Sequence, residues 1–478
     1  MLTNQLNNIL DSLSGLSFEI SLAAGALILL MAGLVWKQTL VSRVIYVMVI
    51  LVAMWLVQVD GVSGFLFNQT LVTDSMGQIM KLLFGVTSLW IVFFPTAEKH
   101  RSEYYFLILS LILGSTLMLS ANHLLVIYLA VELTSFSAYM LTNFNFRKGA
   151  FEAGMKYLIF GGVTSALALY GMSLIYGFTG TLSLSEMDLH LTGDPVLLNV
   201  GILLFIGGIL FKVSAVPFHI WVPSAYQVAP TDAVMVLSVV PKLGGFVLLH
   251  RILMTVGVQE LYWLYVTISV IGIFTIVLGT LGALGQTNVK RMIAYGAIAH
   301  SGFILVTLLI PFENGAVAFA WYAVVYAMMN VAVFYLVSVF EIHGKTEINH
   351  FSGLSKTEAY MGGLMVVVMI ALIGLPPTVG FTAKFYLFTV MWDWYQQVGD
   401  PVMLTYLIVA ILSVIFSLFF YLKIPYFFFL KQEKADLQVG IPVSQRIIAT
   451  IFTSGLLWFF FRPEILNNIA EIIKFLDW

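Results

Sequence analysis

The chain has 478 residues, 60% of them hydrophobic and only 10% charged, with a mean hydropathy of +0.98. Soluble domains carry about 25% charged residues, so this composition excludes a soluble globular protein and predicts an all-α polytopic membrane protein. A net charge of −2 argues against a nucleic-acid partner, and the absence of cysteine removes iron–sulfur clusters, thiol chemistry and disulfides.

A membrane-spanning helix needs about 20 apolar residues. In chain order the sequence offers about fourteen: 18–36, 39–58, 74–95, 103–121, 123–142, 152–178, 197–228, 231–256, 260–285, 290–310, 314–341, 360–392, 402–424 and 442–461. The first run carries Asp11 and Glu19 at its start, and reads as a retained span rather than a cleaved signal peptide. The seventh contains AVPFHIWVPSAYQVAP, with Pro217, Pro223 and Pro230; the twelfth contains IGLPPTVGFTAKF, with Pro376, Pro377 and Gly380. Proline removes a backbone donor and crowds the preceding turn, so both spans are predicted to break into half-helices. Paired breaks in matching positions point to an inverted-repeat transporter. The organisation expected is three N-terminal helices (1–102), a first five-helix repeat (103–258), an inverted second repeat (259–430) and a C-terminal span (431–478).

The basic residues set an orientation. Alternate loops hold Lys37, Arg43, Lys99, Arg101, Arg147, Lys148, Lys345, Lys356 and Lys434, whereas the opposite loops hold Asp60, Glu186, Asp188, Asp194, Glu260, Glu313 and Asp400. The basic side is expected to be cytoplasmic, with both termini on the other side. Arg251, Lys290, Arg291 and Lys423 flank span ends and read as topology charges, and Lys81 as a side chain reaching towards the interface.

Four lysines fall inside apolar segments: Lys156, Lys212, Lys242 and Lys384, with Glu132 in YLAVELTSF as the deep carboxylate of the central spans. An ionisable group at membrane depth costs at least about 2.5–3.5 kcal/mol on insertion scales, so such groups mark an ion or proton path. Lysine suits the task because burial disfavours its charged form while a nearby carboxylate restores it. Glu132 is paired here with Lys212. His300, in AYGAIAHSGF, is a relay candidate, and His219, two turns beyond Lys212, a further one. Glycine doublets at 161–162, 207–208, 244–245 and 362–363 suit close helix packing near these lysines. No nucleotide-binding motif has the strand–turn–helix context it needs.

The segment FKVSAVPFHIWVPSAYQVAPTDAVMVLSVVPKLGGFVLLHR, with LLVIYLAVELTSFSAYML, NVKRMIAYGAIAHSGF and GLPPTVGFTAKFYLF, resembles the antiporter-like membrane subunits of respiratory complex I and of multisubunit cation/proton antiporters, over roughly residues 75–425. Within that family it is similar to the subunit N branch of NADH–quinone oxidoreductase. The twelfth span carries Lys384 where the M branch has glutamate, no lateral helix like that of subunit L follows the last span, and tyrosine–glutamine stands in VPSAYQVAPT. The resemblance implies a non-redox subunit that translocates protons while quinone is reduced elsewhere, in a bacterial inner membrane. It implies that Glu132 pairs with the seventh-span Lys212, that Lys242 and His300 connect to Lys384 near the outlet, and that Lys156 is a sixth-span member of the path. It also implies that this chain binds no cofactor itself, the NADH, flavin (FMN), iron–sulfur and quinone sites lying on other subunits. The expected partners are a neighbouring antiporter-like subunit, small membrane subunits, the lateral helix of subunit L and the lipid bilayer. The alternative is a subunit of a stand-alone sodium/proton antiporter.

Overall fold

The computed structural model describes residues 12–36, 38–60, 63–96, 102–144, 149–187, 195–431, 440–462, 464–465 and 468. The loop charges Lys37, Lys99, Arg101, Arg147, Lys148, Asp188, Asp194, Lys434 and Lys474, and both chain ends, lie outside them.

Apolar runs of this length hydrogen-bond their own backbone as helices, because a lipid interior offers no other partner. Three such helices come first, α1 (Ser17–Val35), α2 (Thr39–Asp60) and α3 (Ser75–Leu89), with a short antiparallel hairpin, β1 (Gly64–Leu66) and β2 (Leu71–Thr73), before the third. Then follow α4 (Ser102–Ser120), α5 (Leu124–Thr142), α6 (Ala150–Thr179), α7 (Pro195–Lys212), α8 (Trp221–Val228) and α9 (Thr231–Val256). The second half comprises α10 (Tyr262–Leu284), α11 (Val289–Thr307), α12 (Phe312–Glu341), α13 (Ser355–Ile373), α14 (Val379–Val398), α15 (Pro401–Tyr421) and the short α16 (Lys423–Phe429), with α17 (Val443–Trp458) last. A helix, or a broken pair, stands at every expected segment, and among the described residues twelve helices are long and apolar enough to cross a membrane.

The packing partners recur between the two groups of five. Helix α4 lies against α5 and α9, as α10 lies against α11 and α15; α6 meets α8 as α12 meets α14. The halves join where α9 packs on α12 and α8 on α11. Helices α9, α11 and α12 are enclosed along most of their length, and α9 is buried from Thr231 to Leu253.

Both breaks fall as the prolines predict. Helix α7 stops at Lys212, residues 213–220 turn, and α8 begins at Trp221; the freed Val216 N–H donates to Thr275 Oγ1 of α10 at 3.0 Å. Helix α13 stops at Gly374, whose φ of +89° suits the left-handed cap that glycine adopts most readily. The irregular stretches are covered only in part: residues 213–215 and Thr378 are buried, whereas Pro217, Ile220, Pro376 and Pro377 are exposed.

The glycine doublets do less than expected. Gly208 sits against Ala168 and the Thr164 carbonyl, and Gly244 against the Ser115 carbonyl, so both allow close approach. Gly162 and Gly363 face open space.

Candidate functional site

The first-half site forms where α5, α6 and α7 meet. Glu132 of α5 accepts a short hydrogen bond from the Ser165 hydroxyl of α6. It lines a small, partly open recess together with Ser135, Thr164, Phe205 and Lys212. Lys212 is only 3% exposed, and its Nζ has no hydrogen-bond partner among the described residues. No ion pair joins it to Glu132, yet both groups border the same recess, so the predicted pair is brought together as facing rather than bonded groups.

Lys242 follows Pro241 inside α9 and is fully buried. Its Nζ reaches the second half, donating to the Ala297 carbonyl at 3.2 Å and to Ser301 Oγ at 3.5 Å, both on α11. One turn of α11 along, the His300 Nδ1 and the Tyr322 hydroxyl are 2.8 Å apart. Lys384 of α14 donates to the carbonyls of Leu372 (3.1 Å) and Ile373 (2.7 Å) and lies 5.0 Å from the Phe303 ring centroid. Those carbonyls are the last of α13, so the amine occupies the negative end of a half-helix, where a cation is favoured. His300 and Lys384 share a small, partly open recess with Thr280, Ser413, Ser417 and Tyr421. Lys242, His300 and Lys384 thus form a near-continuous buried row, with hydroxyls between them.

Two predicted residues stand apart. Lys156 was expected at membrane depth; its side chain is 49% exposed on the outer face of α6, paired at 2.5 Å with Glu152 one turn earlier. Its neighbours in sequence are apolar although they lie on the outside of the chain, and apolar surroundings in sequence do not distinguish an outer face from the core. His219 does not continue the Lys212 face, because α7 ends first; it sits half-buried in the connecting turn, its Nδ1 without a partner among the described residues.

Residues 121–419 match the family described as the NADH:quinone oxidoreductase/Mrp antiporter membrane domain. The NADH-quinone oxidoreductase subunit N 2 of Chloroherpeton thalassium is 34% identical over 392 residues, covering 78% of this chain and 75% of that protein. The chain belongs to this family. Among solved structures, a chain of respiratory complex I from Thermus thermophilus superposes with a TM-score of 0.78 at 26% identity, covering 94% of this chain and 98% of that one. A chain of the Mrp complex from a Dietzia species gives 0.81 at 19% identity, covering 97% of each, a likeness of fold alone.

This family member holds further buried charge that the sequence reading placed elsewhere. Lys81 does not reach outward: it is buried, with Nζ 2.8 Å from Glu19 Oε1, joining α3 to α1. Arg251 is buried against Asp74, which also caps α3 by accepting from Gly77 N at 2.6 Å. Lys290 donates to the Ala229 carbonyl (3.0 Å) and to Glu341 (3.2 Å), Arg291 to Gln227 (3.2 Å), and Lys423 to the Leu284 carbonyl. Glu132 is also not the only interior carboxylate. Asp232 is fully buried at the start of α9, beside the Tyr104 hydroxyl, and Glu358 is buried against Arg446 at 3.0 Å. The available signal was complementarity: an acid in one span and a base in its neighbour, as with Glu19 and Lys81, satisfy each other only when both are buried.

Proposed function

We propose that this chain is a proton-translocating, non-redox membrane subunit of an NADH–quinone oxidoreductase. The observation that carries the reading is the buried row Lys242, His300 and Lys384, next to the facing Glu132 and Lys212, in a chain whose relatives are named subunit N. A proton reaches Lys242 and His300 from the cytoplasmic side through water, passes to Lys384 and leaves on the far side. Quinone reduction elsewhere in the complex changes the Glu132–Lys212 separation through the neighbouring subunit. Two unit charges moved from 4 to 8 Å apart lose about 2 kcal/mol of attraction at an effective dielectric of 20, enough to redistribute a proton. The two groups of five helices act as the inverted repeats that the matching breaks suggest, each bearing one lysine near its break.

NADH, flavin, iron–sulfur clusters and quinone would be held by partner subunits, and the exposed apolar faces of the helices would meet lipid, the neighbouring antiporter-like subunit and the lateral helix of subunit L. The chain would lie in a bacterial inner membrane with both termini outside the cytoplasm. Mild-detergent purification through a tag on this chain tests the assembly. Recovery of flavin- and iron–sulfur-bearing partners with NADH–quinone reductase activity is expected. Recovery of a complex that lacks both, and exchanges sodium for protons in vesicles, would replace this reading with a stand-alone antiporter.

A further inference from the structure

We propose that Glu341 is the proton-loading residue of the row, taking protons at the membrane face where the α8–α9 turn lies and passing them along α12 to Lys242 and His300. The proposal rests on the translocating function above. Glu341 ends α12, and its side chain is 12% exposed, so it touches both the outside of that face and the interior. Three elements aim it. The Thr231 hydroxyl at the start of α9 donates to Glu341 Oε2, and Lys290 Nζ of α11 donates to Oε1 at 3.2 Å. Lys290 also holds the Ala229 carbonyl, just past α8, at 3.0 Å.

A polar stripe occupies the inner part of α12, separated from Glu341 by turns that carry Phe334, Val337 and Ser338. Tyr322, Tyr326 and Asn330 stand at four-residue spacing, and Glu341 lies eleven residues, three turns, beyond Asn330, on the same face. The far end of the stripe is already in the row: the Tyr322 hydroxyl meets His300 at 2.8 Å. Tyr326 donates to the Ser238 carbonyl at 3.1 Å, one turn of α9 before Lys242. Between the two ends stands Tyr226 of α8. It is fully buried, its ring lies 6.1 Å from Phe334 of α12 and 5.9 Å from Lys242 Nζ, and its hydroxyl has no hydrogen-bond partner among the described residues. A buried hydroxyl left unpaired is costly, and its free donor and acceptor can take a water, which is what a relay between Glu341 and Lys242 requires. The eleven residues of α9 from Thr231 to Lys242 rise about 16 Å, so hydroxyls and water together bridge the distance. In the step itself the carboxylic O–H of protonated Glu341 breaks, its proton passes through the relay to the Lys242 amine, and the carboxylate is reprotonated from water at the membrane face.

The test uses inverted vesicles containing the whole complex, with NADH-driven proton uptake as readout and Lys242→Ala measured alongside. Glu341→Gln keeps the shape and neutralises the acid; its uptake is expected to fall about a hundredfold, the low end of the range that a positioned proton-transfer group supplies. Glu341→Asp, which can still carry a proton, is expected to recover most of it, whereas a residue needed only to hold α8 against α11 would tolerate glutamine at least as well as aspartate. Uptake in Glu341→Gln equal to the parent, with Lys242→Ala inactive, overturns the proposal and leaves the translocation reading standing. Parental uptake in Lys242→Ala too overturns both. Should Glu341→Gln fail to assemble, Tyr226→Phe decides: reduced uptake supports the lane and unchanged uptake overturns it.

Discussion

Lys212 and Lys384 both stand beside broken helices, yet their amines are held in opposite ways. Lys384 is tied to two carbonyls at the end of α13 and lies over an aromatic ring, whereas Lys212 faces a recess with no partner of its own. Hydrogen bonds to a charged group are worth about 1.5–3 kcal/mol each, so Lys384 is anchored by several kcal/mol that Lys212 lacks. The difference assigns distinct parts to two superficially equivalent residues. An anchored amine keeps its place and can receive and pass on a proton; an unanchored amine opposite a carboxylate responds to small changes in their separation. Lys242 belongs with the anchored class, since α11 supplies its acceptors.

The comparison breaks most sharply at the anchored end. Lys384→Met removes the last amine of the row, and NADH-driven proton uptake by inverted vesicles is expected to fall by about a hundredfold, as for loss of a general acid–base group. Retained uptake would mean that the row ends at His300. A subtler change attacks the anchor and leaves the amine in place. A Cβ added at Gly374 would lie 2.7 Å from Lys384 Cδ, and the φ of +89° disfavours any side chain there, so Gly374→Ala should displace the lysine from its carbonyls. A fall in uptake of about tenfold, with the complex still assembled on a native gel, is expected if anchoring matters. The smallest effect is predicted at Lys156, whose exposed ammonium pairs with Glu152 on the outer surface. Exposed pairs of this kind are worth about 0–1 kcal/mol, so Lys156→Ala should pump as the parent does. A large loss there would return Lys156 to the path.

The architecture was largely legible in the sequence, because hydropathy and proline act locally. Both breaks and the helix positions follow from apolar runs interrupted by proline and charge, and the same runs single out Glu132, Lys212, Lys242, His300 and Lys384 as interior groups; the linking of Lys242 and His300 to Lys384 came from the family resemblance. Hydropathy could not tell an apolar face turned to lipid from one turned to the core, and so Lys156 was grouped with Lys242 although one is half exposed and the other fully buried. It failed in the opposite sense near helix ends. Lys290 reads as a boundary charge, and Asp232 and Glu341, also at span ends, drew no reading, yet Asp232 and Lys290 are buried and Glu341 is only 12% exposed. His219 shows a third limit: it would share a face with Lys212 only on an unbroken helix, and the helix ends at Lys212.

The most direct test of the central claim, that the Glu132–Lys212 site couples electron flow to proton movement, is Lys212→Ala in inverted vesicles, recording NADH-driven quinone reduction and proton uptake together. The expected result is an assembled complex in which proton uptake is lost, with or without a matching loss of quinone reduction. Parental rates of both in the assembled variant would contradict it.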